Sequence, residues 1–134
     1  MKRALNMLPT AITYALLVSE YYVKLDLEAM IKRAFPDSNL VFASDSVDSA
    51  AEFLSETPVD LVVSDVILSD GYSTEMLQAI EWQKPVIFFS EFDELEYLTR
   101  SLNCLDFLPK PVTQDNLNEA MQKLKPITSQ SIIV

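Results

Sequence analysis

The chain has 134 residues, close to the length of one domain, and 49% of them are hydrophobic, enough to build a core. Ten Lys and Arg against twenty Asp and Glu give a formal charge of −10, which repels nucleic-acid phosphates and anionic membranes and suits a divalent cation or a basic partner. There is no histidine, one glycine (Gly71) and one cysteine (Cys104). These absences exclude Ser-His-Asp and Cys-His catalysis, His- or Cys-cluster metal sites, an internal disulfide, and the Gly-rich phosphate and dinucleotide loops.

Met1-Lys2-Arg3 and the apolar stretch to Val18 superficially look like a secretory leader, but Asn6, Pro9, Thr10 and Thr13 interrupt it. No small-x-small cleavage site follows, and no apolar run is long enough to span a membrane. A cytoplasmic location is the expectation. Residues 1–10 and 126–134 read as tails, the second also as the start of a linker, around one domain at 11–125.

Within that domain, Ala11 to Ser19 is β-branched and apolar, as in a strand buried on both faces. Val23, Leu27, Met30, Ile31, Ala34 and Phe35 recur at helical spacing until Pro36 ends the pattern. Leu40 to Ala43 is a short strand. Ser46 then caps a helix with Val47, Ala50, Ala51 and Leu54 on its apolar face. Val59 to Ser64 is a strand leading into Asp65 and the loop that holds Gly71. Thr74 to Glu81 is a helix, Pro85 to Ser90 a strand, and Leu95, Leu98 and Leu102 mark a fourth helix. Leu105 to Leu108 is a fifth strand. Thr113 caps a last helix carrying Leu117, Ala120, Met121 and Leu124. Five βα units predict an α/β fold: a five-stranded parallel sheet, doubly wound and flavodoxin-like, with helices on both faces.

Ligands of such sheets bind beyond the carboxyl ends of the strands. Those ends carry Ser19-Glu20, Asp65, Ser90 and Lys110. Two carboxylates converging in a small site repel, and hold their positions most easily around a hard cation such as Mg²⁺. A lysine and a hydroxyl beside them can hold a transferred phosphoryl group, and an aspartate can accept one covalently. Taken singly, each of these residues also fits a helix cap or an ion pair.

The segments LLVSE, VDLVVSDVIL, KPVIFFSEFDE and LDFLPKP resemble the receiver domains of two-component response regulators, over about residues 11–125. The spacing around FDE and NCLDFLPKP is most similar to receivers of regulators with a LytTR-type output domain. The resemblance implies that Asp65 is the phosphoacceptor, served by a histidine kinase or phosphotransfer protein that supplies the histidine this chain lacks. It implies that Glu20, Asp65 and the Ile67 carbonyl hold Mg²⁺ and that Lys110 pairs with the phosphate. Ser90 and Phe107 would act as the switch pair, although Phe107, between Leu105 and Leu108, also fits a core position. The partner surface, and the face for a homodimer, would be formed by the fourth helix, fifth strand and fifth helix. Any enzymatic activity would be limited to self-catalysed phosphotransfer and dephosphorylation.

Several residues depart from the family pattern. Ser19 stands where an acid is usual, which weakens the expected Mg²⁺ affinity, and Glu20 is a methylene longer than the commoner Asp. Glu91 follows Ser90 where a small residue is usual and would crowd the entry. Ser69 replaces a proline and Ser73 a glycine. Glu91 could restore the charge missing at Ser19 and leave a working acceptor. Alternatively the domain is a phosphate-independent pseudo-receiver that acts as an interaction module. Ile67 and Phe92, each two residues beyond a site residue, are apolar and predict slow hydrolysis of an aspartyl phosphate. A small α/β enzyme or flavin-binding domain is the weaker third reading, because a flavin phosphate site wants a Ser/Thr/Gly-rich loop after the first strand and Tyr21-Tyr22-Val23 offers none. Output requires either a downstream protein target or a domain beyond Val134.

Overall fold

The computed structural model describes residues 11–124; the tails expected at 1–10 and 126–134, with Lys125, lie outside the described residues. The main sheet comprises β1 (Ile12–Leu17), β2 (Ser38–Ser44), β3 (Leu61–Asp65), β4 (Val86–Ser90) and β5 (Cys104–Pro109). Four helices, α1 (Tyr21–Ala34), α2 (Val47–Glu56), α3 (Ser73–Ala79) and α4 (Gln114–Gln122), and a 3₁₀ helix at Asp93–Thr99 connect and flank the strands. All strand pairs of this sheet are parallel, in the order β2-β1-β3-β4-β5. This is the doubly wound α/β sheet expected from the alternation of apolar runs.

Side-chain alternation along the central strands divides the core into two layers. Ile12, Tyr14, Leu16, Leu61, Val63, Ile87 and Phe89 face α1 and α4, where Leu27, Ile31, Leu117 and Met121 meet them. Ala15, Leu17, Val62, Val86 and Phe88 face Ala50 and Leu54 of α2 and Met76 and Leu77 of α3. Because both faces are covered, the central strands are mostly apolar, and β3 and β4 turn polar only at their carboxyl ends. The edge strand β2 alternates instead, with Val41 exposed beside an irregularity in its register with β1.

Both expected caps are present: the Ser46 hydroxyl accepts from the Ser49 N–H, and Thr113 from the Asn116 N–H. The fourth helix differs from expectation. It is a seven-residue 3₁₀ helix, and Leu102 falls beyond its end. A 3₁₀ turn brings residues three apart onto one line, so Leu95 and Leu98 both reach the second core layer, and Leu102 joins them from the following turn.

Two backbone positions have positive φ. Gly71 is at 153° in the turn after β3, where a side chain would be strained. Glu81 is at 56° just past α3. There the Trp82 N–H bonds the Leu77 carbonyl at 2.9 Å and the Glu81 N–H bonds that of Gln78 at 3.0 Å. This is a Schellman ending, with a glutamate where glycine is favoured. Glu81→Gly is therefore expected to stabilise the fold by about 1 kcal/mol. Leu77→Ala, which removes a fully buried side chain, is expected to destabilise it by about 2–5 kcal/mol. Urea unfolding midpoints check both.

Candidate functional site

The carboxyl ends of β3, β4 and β5 are staggered by single residues. Asp65 lies opposite Phe89, Ser90 opposite Pro109, and Lys110 follows, its N–H bonding the Ser90 carbonyl at 3.1 Å. The Lys110–Pro111 peptide is cis. This stagger brings the Lys110 Nζ to 3.0 Å from Asp65 Oδ2.

Asp65 is 6% exposed, and its backbone is held as firmly as its side chain. The hydroxyls of Ser64 and Ser73, both fully buried, each donate to the Asp65 carbonyl at 2.7 Å. Ser73, which replaces a loop glycine of the family pattern, thus supplies a fixed hydrogen bond. Burial pushes the Asp65 carboxyl up, and the charge of Glu20 adds to this. The hydrogen bond and charge of Lys110, and the N–H of Ile67, pull it down without cancelling the rise.

Other residues expected at the site frame this pair. Glu20, Glu91 and Lys110 line one cavity of about 250 Å³, with Asp26 on its wall and Val23, Leu27 and Phe89 among its apolar lining. Exposed Glu91 thus shares that cavity with exposed Glu20. The Ser19 hydroxyl donates to the Ile67 carbonyl at 3.4 Å, so the serine in the acidic position contacts an oxygen expected to ligate a cation. Ser90 is buried, and its hydroxyl accepts from the Phe92 N–H at 3.0 Å, so it caps the turn after β4 as well as standing at the site edge. Ile67 and Phe92 are 39% and 46% exposed, apolar groups on the same edge of the sheet.

Phe107 stands apart from this group. It is half-buried against the second core layer and lines a separate cavity of about 530 Å³ between the 3₁₀ helix and β5. β5 has an irregular register with β4 between Cys104 and Asp106. Beyond it the Asp106 carboxylate takes the Phe107 N–H and an ion pair from Lys123 at 3.0 Å.

The residues that could hold a cation are those expected from the sequence, the Glu20 and Asp65 carboxylates and the Ile67 carbonyl. These hard oxygen donors fit Mg²⁺, which takes one or two carboxylates and keeps several waters. No cluster of three His, Cys, Asp or Glu side chains that could enclose an ion exists among the described residues. Asp70 is a contributor the sequence reading did not single out. Its carboxylate accepts from Val47, Asp48 and Ser46 and joins the loop after β3 to α2. The Asp-Gly pair at 70–71 signals the turn but not its distant partner.

A carboxyl pKa raised by folding means that ionised Asp65 opposes folding at neutral pH, and that this opposition fades as pH falls through the folded-state value. Asp65→Asn is accordingly expected to raise Tm by a few degrees at pH 7, with the gap to wild type closing on acidification. A Tm lowered by the substitution at pH 7 would show that the Lys110 pairing outweighs burial.

No family model matches the chain. The sensory transduction protein LytR of Streptococcus mutans is 26% identical over 96 residues, which cover 69% of this chain and 39% of that protein. The chain therefore matches less than half the length of that relative. Among solved structures, the response regulatory domain of mrkE from Klebsiella pneumoniae superposes with a TM-score of 0.79 at 18% identity, covering 88% of this chain and 98% of that one. A two-component response regulator of the LuxR family from Aurantimonas gives 0.75 at 18% identity, covering 91% and 95% respectively. In fold, then, the chain is similar to response regulator receiver domains, and in sequence it is similar to a LytR sensory transduction protein.

Proposed function

We propose that Asp65 accepts a phosphoryl group from a phosphohistidine of a partner histidine kinase or phosphotransfer protein in the cytoplasm. The observation that carries this reading is a buried strand-end carboxylate within 3.0 Å of a lysine, backed by rigid hydroxyl-held backbone. A carboxylate oxygen of Asp65 attacks phosphorus, the P–N bond breaks, and the leaving imidazole keeps the electron pair and takes a proton. Lys110 neutralises charge on the transferred group, and Ser90 has a hydroxyl proton free to donate to it. Mg²⁺ held by Glu20, Asp65 and the Ile67 carbonyl would supply charge neutralisation at the phosphoryl oxygens.

Phe107 borders the cavity beneath the 3₁₀ helix, which supports its role as the switch aromatic. Movement there would alter the face formed by the 3₁₀ helix, β5 and α4, the surface assigned to a downstream target, an output domain or a second copy. The Ser19 contact on the Ile67 carbonyl favours one other reading, a phosphate-independent receiver that acts by interaction alone.

Intact-mass and Phos-tag analysis with acetyl phosphate and Mg²⁺ separates the two. One phosphoryl adduct on wild type and none on Asp65→Asn is expected. Unmodified wild type, or equal modification of both proteins, removes the acceptor reading and leaves the interaction module. The exposed apolar side chains of Ile67 and Phe92 limit the placement of an attacking water. Ile67→Asn with Phe92→Glu is therefore expected to speed loss of the phosphoryl group severalfold, followed by the decay of the mass adduct. Equal lifetimes would argue against water exclusion by these residues.

A further inference from the structure

Past Asp65 the chain forms a small antiparallel ribbon, Ile67–Leu68 paired with Gly71–Tyr72. Two residue pairs are too few to hold a ribbon in water. Its tip is instead fastened to the start of α2. Ser69 donates to the Asp45 carbonyl through its N–H at 3.0 Å and its hydroxyl at 2.7 Å. Asp70 Oδ1 accepts from the Val47 N–H at 2.6 Å, and Oδ2 accepts from the Ser46 hydroxyl at 2.9 Å and the Asp48 N–H at 3.3 Å. A carboxylate there also meets the positive end of α2. Gly71 takes its φ of 153° beside Val47, where an added Cβ would meet a methyl group at an ordinary 3.6 Å, so the backbone conformation and not space calls for glycine.

The base of the ribbon belongs to the Asp65 site. Ile67 directs its N–H to the Asp65 carboxylate, and its carbonyl meets the Ser19 hydroxyl at 3.4 Å. Ser73, just after the ribbon, holds the Asp65 carbonyl. The ribbon is thus a short strut: at its tip its own Ser69 and Asp70 bond residues 45–48, and at its base Ile67 turns its N–H to Asp65 and its carbonyl to Ser19.

We propose that Asp70 is a positioning residue: by clamping the ribbon tip to α2 it sets the placement of the Ile67 carbonyl beside Asp65, and so the affinity of that edge for Mg²⁺. Asp70 touches neither the cation nor a phosphoryl group and acts through Ile67. The cation's role rests on the donor set assigned above, whereas the clamp is independent of it. Position 70 also links α2 to the acceptor edge directly, by a path separate from the 3₁₀ helix and β5.

The test compares wild type with Asp70→Ala, Asp70→Asn and Ser69→Ala by amide hydrogen exchange and by Mg²⁺ titration of backbone amide NMR signals. Asp70→Ala is expected to speed exchange at Val47, Asp48 and the ribbon amides while those of β1 and β4 stay protected. It is also expected to raise the Mg²⁺ midpoint at Ile67 roughly tenfold, as for outer partners of metal ligands. Asp70→Asn, which keeps an acceptor oxygen, should fall between the two, and Ser69→Ala should loosen the same amides.

Unchanged ribbon exchange in Asp70→Ala overturns the clamp. Faster exchange with an unchanged midpoint, or a wild type whose Ile67 signal ignores Mg²⁺, overturns the positioning role. Should Mg²⁺ respond as expected while acetyl phosphate leaves Asp65 unmodified, the phosphoacceptor reading fails and the positioning role stands.

Discussion

The contact on which the site depends is the ion pair between Asp65 and Lys110, formed at 3.0 Å by side chains that are 8% and 16% exposed. A carboxylate this deep is costly to ionise, and burial outweighs the help from lysine. The surroundings concentrate on holding it still. β3 is buried throughout, two serine hydroxyls share one carbonyl, and the neighbouring strand ends are hydrogen-bonded to one another. Rigidity of this kind suits the proposed acceptor role, in which the carboxylate would meet an incoming phosphorus atom in one orientation.

The loop after β3 reaches a fixed shape by unusual means. Where similar domains use proline and glycine to shape this loop, this chain uses Ser69 and Ser73, and each hydroxyl is engaged with a backbone carbonyl. Conformational restriction by covalent geometry is replaced by restriction through hydrogen bonds. Gly71 is kept where φ demands it, while Glu81 adopts a left-handed conformation without glycine at all. The scarcity of glycine therefore has a structural cost at one helix end and a polar substitute at another position. Ser69 ties the loop to Asp45, just ahead of α2, and Ser73 ties its end back to Asp65, so each bond names a partner as a proline would not.

At the other end of the sheet edge, the 3₁₀ helix covers β5 less completely than a longer helix would, leaving a polar cavity beside Phe107 and Cys104. Burial raises the pKa of the Cys104 thiol, which lowers its share of the reactive thiolate. Lys123 on the edge-strand aspartate ties α4 to β5 and places charge at an otherwise open sheet edge.

Much of this was legible in the chain before any coordinates. Continuous apolar runs meant doubly covered strands, three-and-four spacing meant helices, and Ser46 and Thr113 announced their helices because a cap is a local interaction. Asp65, Ser90 and Lys110 could be located because strand ends in a parallel sheet share one edge. What local pattern could not supply was everything requiring a partner distant in sequence. The 3₁₀ geometry of residues 93–99 follows from packing Leu95 and Leu98 on the sheet, since three-residue spacing fits either helix type. The Ser19 contact with Ile67 and the Asp70 clamp on α2 join positions 48 and 22–24 residues apart. The sequence by itself thus determined the layers of the fold and the edge where its chemistry collects. Tertiary structure decided which polar groups hold that edge in place, because such bonds depend on distances that only the packed sheet and helices set.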